Sequence, residues 1–65
     1  MVTMSNARRI AASISPHKWE SWDWSVVRDA VDGAMFGELD PFQLDMLTDW
    51  VDNLCKQRAT TNNKN

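Results

Sequence analysis

Cysteine, histidine and long apolar runs are scarce in this chain of 65 residues. The single cysteine, Cys55, excludes an internal disulfide, and the single histidine, His17, cannot supply a zinc-type ligand set. No stretch approaches the roughly 20 apolar residues of a membrane span, and the first fifteen residues lack the apolar run of a signal peptide. We therefore expect a cytoplasmic protein with no metal, no cofactor and no contact with a membrane.

Motifs that carry chemistry are also missing. His17 and Cys55 stand at the two ends of the predicted helical region, so we interpret them as a surface histidine and a small buried thiol. No spacing matches a phosphate-binding loop or a nucleophilic serine motif. Aligning Gly33 with the glycine of a calcium loop places Arg28 and Ala30 where oxygen ligands are required. We expect no enzyme, no catalytic residue and no metal site.

The short length limits how the fold can be stabilised. A single domain of this size buries only about 60% of the surface of its unfolded chain, so its stability is marginal without a disulfide or a bound metal. Large core residues or association with another chain must then supply stability. The four tryptophans, four methionines and two phenylalanines of the sequence are compatible with both routes.

A turn between two helical patterns is the clearest local signal. Gly37 can adopt a left-handed backbone without a Cβ penalty, so it is predicted to end the first helix. Asp40 and Pro41 form the expected pair of N-cap and first helical residue for the second helix. Gly33, four residues before Gly37, is interpreted as a packing glycine. So short a connection predicts antiparallel neighbours.

The segments that flank this turn have helical periodicity. The first, at about 23–36, is apolar over more than half of its circumference and is predicted to begin at a cap on Asp23 or Ser21. The second, at about 41–57, is apolar on one side only. We predict an all-α fold built on this small helical hairpin. The predicted core is Val27, Ala30, Val31, Ala34, Leu47, Trp50, Val51 and Leu54.

The two ends of the chain differ in character. Within residues 1–14, two isoleucines and two alanines follow helical spacing, which predicts a short helix that docks on the hairpin. Ser15 and Pro16 break that helix and can start one further helical turn. Residues 59–65 are rich in Thr and Asn and are predicted to be a disordered tail, which leaves a single domain over residues 1–58.

Charge is strongly segregated along the sequence. All nine acidic residues lie between Glu20 and Asp52, where Arg28 is the one basic residue, so this span carries a formal charge of −8 and the flanks carry +6. On the second helix, an exposed acidic face is predicted from Asp45, Asp49 and Asp52. Such a face can imitate a row of phosphates for a basic protein, or it can simply keep the protein soluble.

Nucleic-acid binding is a further alternative. In a helix-turn-helix reader the second helix would enter the groove, where its carboxylates would meet phosphates of like charge. Direct DNA binding through this helix is therefore not expected. Arg8, Arg9 and Lys18 remain candidates for nucleic-acid contact from the basic N-terminal segment.

Aromatic residues cluster at two places and suggest a protein partner. Trp19, Trp22 and Trp24 follow one another closely, and Phe36 and Phe42 flank the turn. Since aromatic residues are enriched in binding hot spots, we predict that these five bind a partner. The function we expect is a small protein-interaction module, an inhibitor, adaptor or modulator of a host or regulatory protein, of a kind common in phages and mobile elements. We also expect a homodimer that pairs two hairpins into four helices; the competing hypothesis is a monomer that reserves its apolar surface for a foreign partner.

Overall fold

The computed structural model describes residues 2–62, with side chains as far as Ala59. Within this range the chain forms only helices, so the predicted all-α class is confirmed for the residues described. The elements are α1 (Met4–Ser13), α2 (Pro16–Trp19), α3 (Trp24–Ala34) and α4 (Pro41–Asn62).

The last helix, α4, is the element on which the others pack. Helices α1, α2 and α3 all contact it. Its 22 residues span about 33 Å, which accounts for most of the 39 Å length of the molecule. The fold is therefore three shorter helices arranged around one long one.

The C-terminal end of α4 differs from the prediction. The helix continues to Asn62, and Ala59 is 8% exposed, so the described part of the predicted tail, residues 59–62, lies in α4. Threonine and asparagine have low intrinsic helix propensity, so composition alone does not predict that the helix continues through residues 60–62. The rest of the predicted tail, residues 63–65, lies outside the described residues.

Short-range capping explains where the four helices begin. The two predicted aspartate caps are both present, with distances of 3.1 Å for Asp23 and 2.8 Å for Asp40 to the amide three residues on. Hydrogen bonds from the Ser25 hydroxyl and from the Val26 amide hold the pKa of the Asp23 carboxyl below its ordinary value. The stability from this cap is therefore present above the ordinary pKa and is lost as the pH falls through the lowered one. The capping residues are Thr3, Ser15, Asp23 and Asp40.

The core lies between α1, α3 and α4. Four of the predicted core residues are completely buried, namely Val27, Val31, Leu47 and Val51. Three more are half-buried, namely Ala30, Trp50 and Leu54. The prediction is wrong for Ala34, which is exposed because it is the last residue of α3, where the chain turns away from the core.

The N-terminal helix docks on this core as predicted. Its apolar stripe is at most 5% exposed, and the two alanines in it allow close approach to α4. At its C-terminal end, the Arg58 guanidinium donates to the carbonyl oxygens of Ala11 and Ile14, the latter at 2.7 Å. The Ala11 carbonyl also accepts from the Ile14 amide at 3.2 Å. A cation suits this end of α1, because it is the negative end of the helix dipole. The stripe consists of Ala7, Ile10, Ala11 and Ile14.

Helix α3 ends in a Schellman motif. The Gly37 amide donates to the Asp32 carbonyl at 3.0 Å, and the Phe36 amide donates to the Gly33 carbonyl at 3.1 Å. Gly37 has the predicted left-handed backbone (φ +68°), but Phe36 before it is left-handed as well (φ +60°). Gly33 is exposed, and a Cβ there would meet nothing within 4 Å, so its prediction as a packing glycine is wrong.

Replacing Phe36 by glycine is expected to stabilise the protein. A left-handed backbone costs an L-residue about 1–2 kcal/mol, and the Phe36 side chain is 85% exposed, so little packing is lost. We expect the free energy of unfolding in urea to rise by about 1 kcal/mol. Phe42→Gly is the matched control, since this phenylalanine is 80% exposed but lies in the first turn of α4, where the backbone is helical and gains nothing from glycine. A destabilised Phe36→Gly variant would contradict the argument.

Candidate interaction surface

The acidic stripe of α4 faces α2 and α3. Each of its three carboxylates accepts a hydrogen bond from a side chain of those helices, and the paired residues run in opposite order along the chain. The bonds join Trp19 Nε1 to Asp52 Oδ1 (3.0 Å), Trp24 Nε1 to Asp49 Oδ1 (2.9 Å) and Arg28 Nε to Asp45 Oδ1 (2.7 Å). Asp45 and Asp49 are exposed, but the predicted exposure of Asp52 is wrong, because the Trp19 indole bonds to it and it is half-buried.

The ion pair at one end of this stripe is a surface interaction. The hydrogen bond to Asp45 raises the pKa of the Arg28 guanidinium above its ordinary value. The two side chains are 34% and 51% exposed, so solvent screens the pair. Solvent-exposed pairs of this kind are weak, so this ion pair adds little to the stability of the fold.

The indole–carboxylate bond between Trp24 and Asp49 can be measured directly. We expect Trp24→Phe and Asp49→Ala to be non-additive in a double-mutant cycle, with a coupling energy of about 0.5–1.5 kcal/mol, because both remove the same bond. The control cycle combines Trp24→Phe with Asp52→Ala, whose carboxylate accepts from a different indole. Equal coupling in both cycles would show that the contact is not specific.

The three clustered tryptophans serve the fold itself. Trp19 and Trp22 are half-buried and pack against the core. Trp24 is 40% exposed, but its indole N–H already bonds to α4. Of the five aromatics predicted to bind a partner, these three are therefore committed, at least in part, to contacts within the chain.

The other two aromatics stand apart from the core. We call residues 35–42 the turn tip. At the tip, Phe36 is 85% exposed and Phe42 is 80% exposed, whereas Trp24, the next most exposed aromatic described, reaches only 40%. A phenyl ring gains nothing from water, and full burial of such a side chain is worth about 1.5–3 kcal/mol. The tip therefore presents apolar surface that this chain leaves uncovered.

Acidic and basic side chains lie towards opposite ends of the molecule, with the acidic ones at the turn tip. The tip carries exposed Glu38 and Asp40, and no basic residue occurs between Asp29 and Cys55. Because α1 ends beside Arg58 and α2 lies beside Asp52, the basic N-terminal residues lie towards the other end of α4. The exposed side chains there are Arg8, Arg9, His17, Lys18 and Lys56.

Groups capable of catalysis are not brought together in the part of the chain that the structure describes. Cys55 is completely buried, and burial raises the pKa of its thiol, which keeps it protonated and unreactive. His17 is exposed on α2. No cluster of three metal-ligating side chains occurs among the residues described, and none of their helices has the length and apolar character needed to cross a membrane. Comparison of the chain with protein-family models, with curated proteins and with solved structures found no match.

Proposed function

We propose that this protein acts by binding another protein through its turn tip, without catalysing a reaction, as an inhibitor, adaptor or modulator. One observation carries the proposal: the two most exposed of the large apolar side chains described, Phe36 and Phe42, flank the same turn. Aromatic residues that enter a pocket of a partner dominate the energy of many interfaces. The tip has two such residues within eight positions of the chain.

In this proposal α3 and α4 act as an antiparallel hairpin that presents the tip. The opposite order of the pairs Trp24–Asp49 and Arg28–Asp45 supports this geometry. Packing of Val27 against α4 would hold the stem rigid, so that little entropy is lost when the tip binds. Imitation of nucleic acid by the acidic stripe is less favoured, because its carboxylates already accept hydrogen bonds within the chain.

Homodimerisation is the competing use of the same phenyl rings. Pairing two hairpins would cover them, but it would also bring the acidic tips together unless the two copies lie antiparallel. Sedimentation at micromolar concentration distinguishes the two arrangements. A monomer mass supports a foreign partner, whereas a dimer that is lost in the Phe36→Gly variant supports self-association.

A nucleic-acid role for the basic end is the second candidate. Arg8, Arg9 and Lys18 are all exposed, as contact with nucleic acid would require. Affinity for DNA or RNA would then fall steeply with salt and would fall when both arginines are replaced by glutamine. Weak binding that is insensitive to these replacements would exclude this candidate.

Capture of a partner with matched variants tests the main proposal. Wild-type protein, Phe36→Gly and Met4→Gln would be immobilised and exposed to lysate from cells that express the gene. Met4 is 40% exposed on α1, outside the segment that forms the tip, and serves as the control. We expect a protein that wild type and Met4→Gln retain and that Phe36→Gly loses. Because Phe36→Gly is expected to be more stable, its failure to bind would not reflect unfolding. Retention by all three variants would refute binding through the tip.

A further inference from the structure

The charges around the turn tip indicate the chemistry of the surface it fits. Glu38 and Asp40 are exposed in the same segment as the two phenyl rings, with no basic residue from Asp29 to Cys55. We propose that the tip docks in an apolar cleft of a foreign protein that is bordered by lysine and arginine side chains. This inference rests on the proposed function and names its partner class.

The bases of the chain itself do not neutralise the tip. Arg28, the nearest in sequence, is paired with Asp45 at 2.7 Å. Lys56 lies fifteen residues beyond Pro41 along α4, which corresponds to about 22 Å. The Debye length at physiological ionic strength is only about 8 Å, so the basic end is screened from the tip. An approaching basic cleft is therefore attracted at the tip and is not repelled from it.

Phenyl rings and carboxylates would contribute differently to binding. Buried rings slow dissociation, whereas carboxylates at the rim of the interface mainly accelerate association and orient the encounter. Asp40 Oδ1 caps α4 by accepting a hydrogen bond from the Gln43 amide at 2.8 Å. Replacing Asp40 by asparagine preserves the cap, so the charge can be removed without loss of the helix start.

Other occupants of the tip are disfavoured by the same charges. Nucleic acid and anionic lipid both carry the sign of Glu38 and Asp40 and would be repelled. A second copy of the chain offers bases only at its far end, so it would have to pair antiparallel or head to tail, and either arrangement would raise the mass measured by sedimentation. Phe36 also occupies a backbone conformation that glycine adopts without strain, as expected where a side chain serves binding at a cost in stability.

A random peptide library displayed on phage is the probe for this proposal. It would be selected on immobilised wild-type protein, and the affinities of the selected peptides would be measured for wild type, Phe36→Gly, Glu38→Gln/Asp40→Asn and Met4→Gln. We expect selected peptides that combine lysine or arginine with large apolar residues. Phe36→Gly should weaken them about tenfold or more, and Met4→Gln should not. The double charge variant and a rise in salt from roughly 0.01 to 1 M should both weaken them too.

The outcomes separate the partner class from the proposed function. Peptides that depend on Phe36 but have no excess of basic residues and no salt dependence would overturn the basic cleft and leave the binding role intact. Peptides that bind Phe36→Gly as well as wild type, or no enrichment at all, would overturn both. Binding to vesicles of phosphatidylglycerol that depends on Phe36, or filaments that the charge variant abolishes, would replace the foreign protein with a membrane or with a second copy.

Discussion

Replacing Leu47 by alanine is expected to unfold this protein or nearly so. Leu47 is completely buried on α4, the helix that α1, α2 and α3 all contact. Loss of a buried leucine side chain costs about 2–5 kcal/mol. A single core in a domain of this size rarely supplies more than about 3–5 kcal/mol in total. We therefore expect the circular dichroism of Leu47→Ala at 25 °C to lose most of its helical signal.

Phe42→Ala is the control on the same helix. This larger side chain is 80% exposed, so its removal should change the free energy of unfolding by no more than about 0.5 kcal/mol. Urea titrations of both variants decide the comparison. A Leu47→Ala variant that loses less than about 1 kcal/mol would mean that the core can collapse around the missing side chain, against the packing described here.

Replacing Arg58 by alanine is expected to release α1. The guanidinium donates to two carbonyl oxygens at the end of that helix, and hydrogen bonds from charged groups contribute about 1.5–3 kcal/mol. We expect the free energy of unfolding to fall by about 2–3 kcal/mol, with faster hydrogen exchange of the α1 amides than of the α3 amides. Arg58→Lys should recover only part of the loss, since an ammonium cannot reproduce the planar fork.

Lys56→Ala is the matched control for this cation. Lys56 is exposed on the same turn of α4. Its removal should leave both stability and exchange of α1 within experimental error, because surface substitutions of this kind change stability by less than about 0.5 kcal/mol. Equal effects of the two substitutions would show that general charge, rather than the contact with α1, is responsible.

The features that the sequence predicts well are those that depend on interactions between residues a few positions apart in the chain. Asp23 and Asp40 cap their helices because the accepting oxygen and the donor amide are three positions apart. The apolar stripe of α1 is visible by its spacing alone. Phe36 and Phe42 could be assigned to the turn for the same reason, although their exposure could not be known in advance.

What could not be predicted depends on contacts between distant parts of the chain. Arg58 donates to main-chain carbonyls, one of them 44 positions away. Every residue has a carbonyl, so the sequence does not indicate which one an arginine will bind. The periodicity of α4 placed Asp52 on a solvent face, since nothing local indicates that the Trp19 indole will bond to it. The burial of Ala59 likewise depends on the fold as a whole and could not be inferred from the Thr- and Asn-rich composition that follows it.

The attachment of α1 through Arg58 also has a consequence for the order of folding. The bond between Arg28 and Asp45 joins residues 17 apart, whereas Arg58 and Ile14 are 44 apart. Closing the longer loop costs roughly 1 kcal/mol more in chain entropy, so α3 should join α4 before α1 does. Substitutions in the α1 contact should then accelerate unfolding and leave the folding rate almost unchanged, whereas substitutions between α3 and α4 should slow folding.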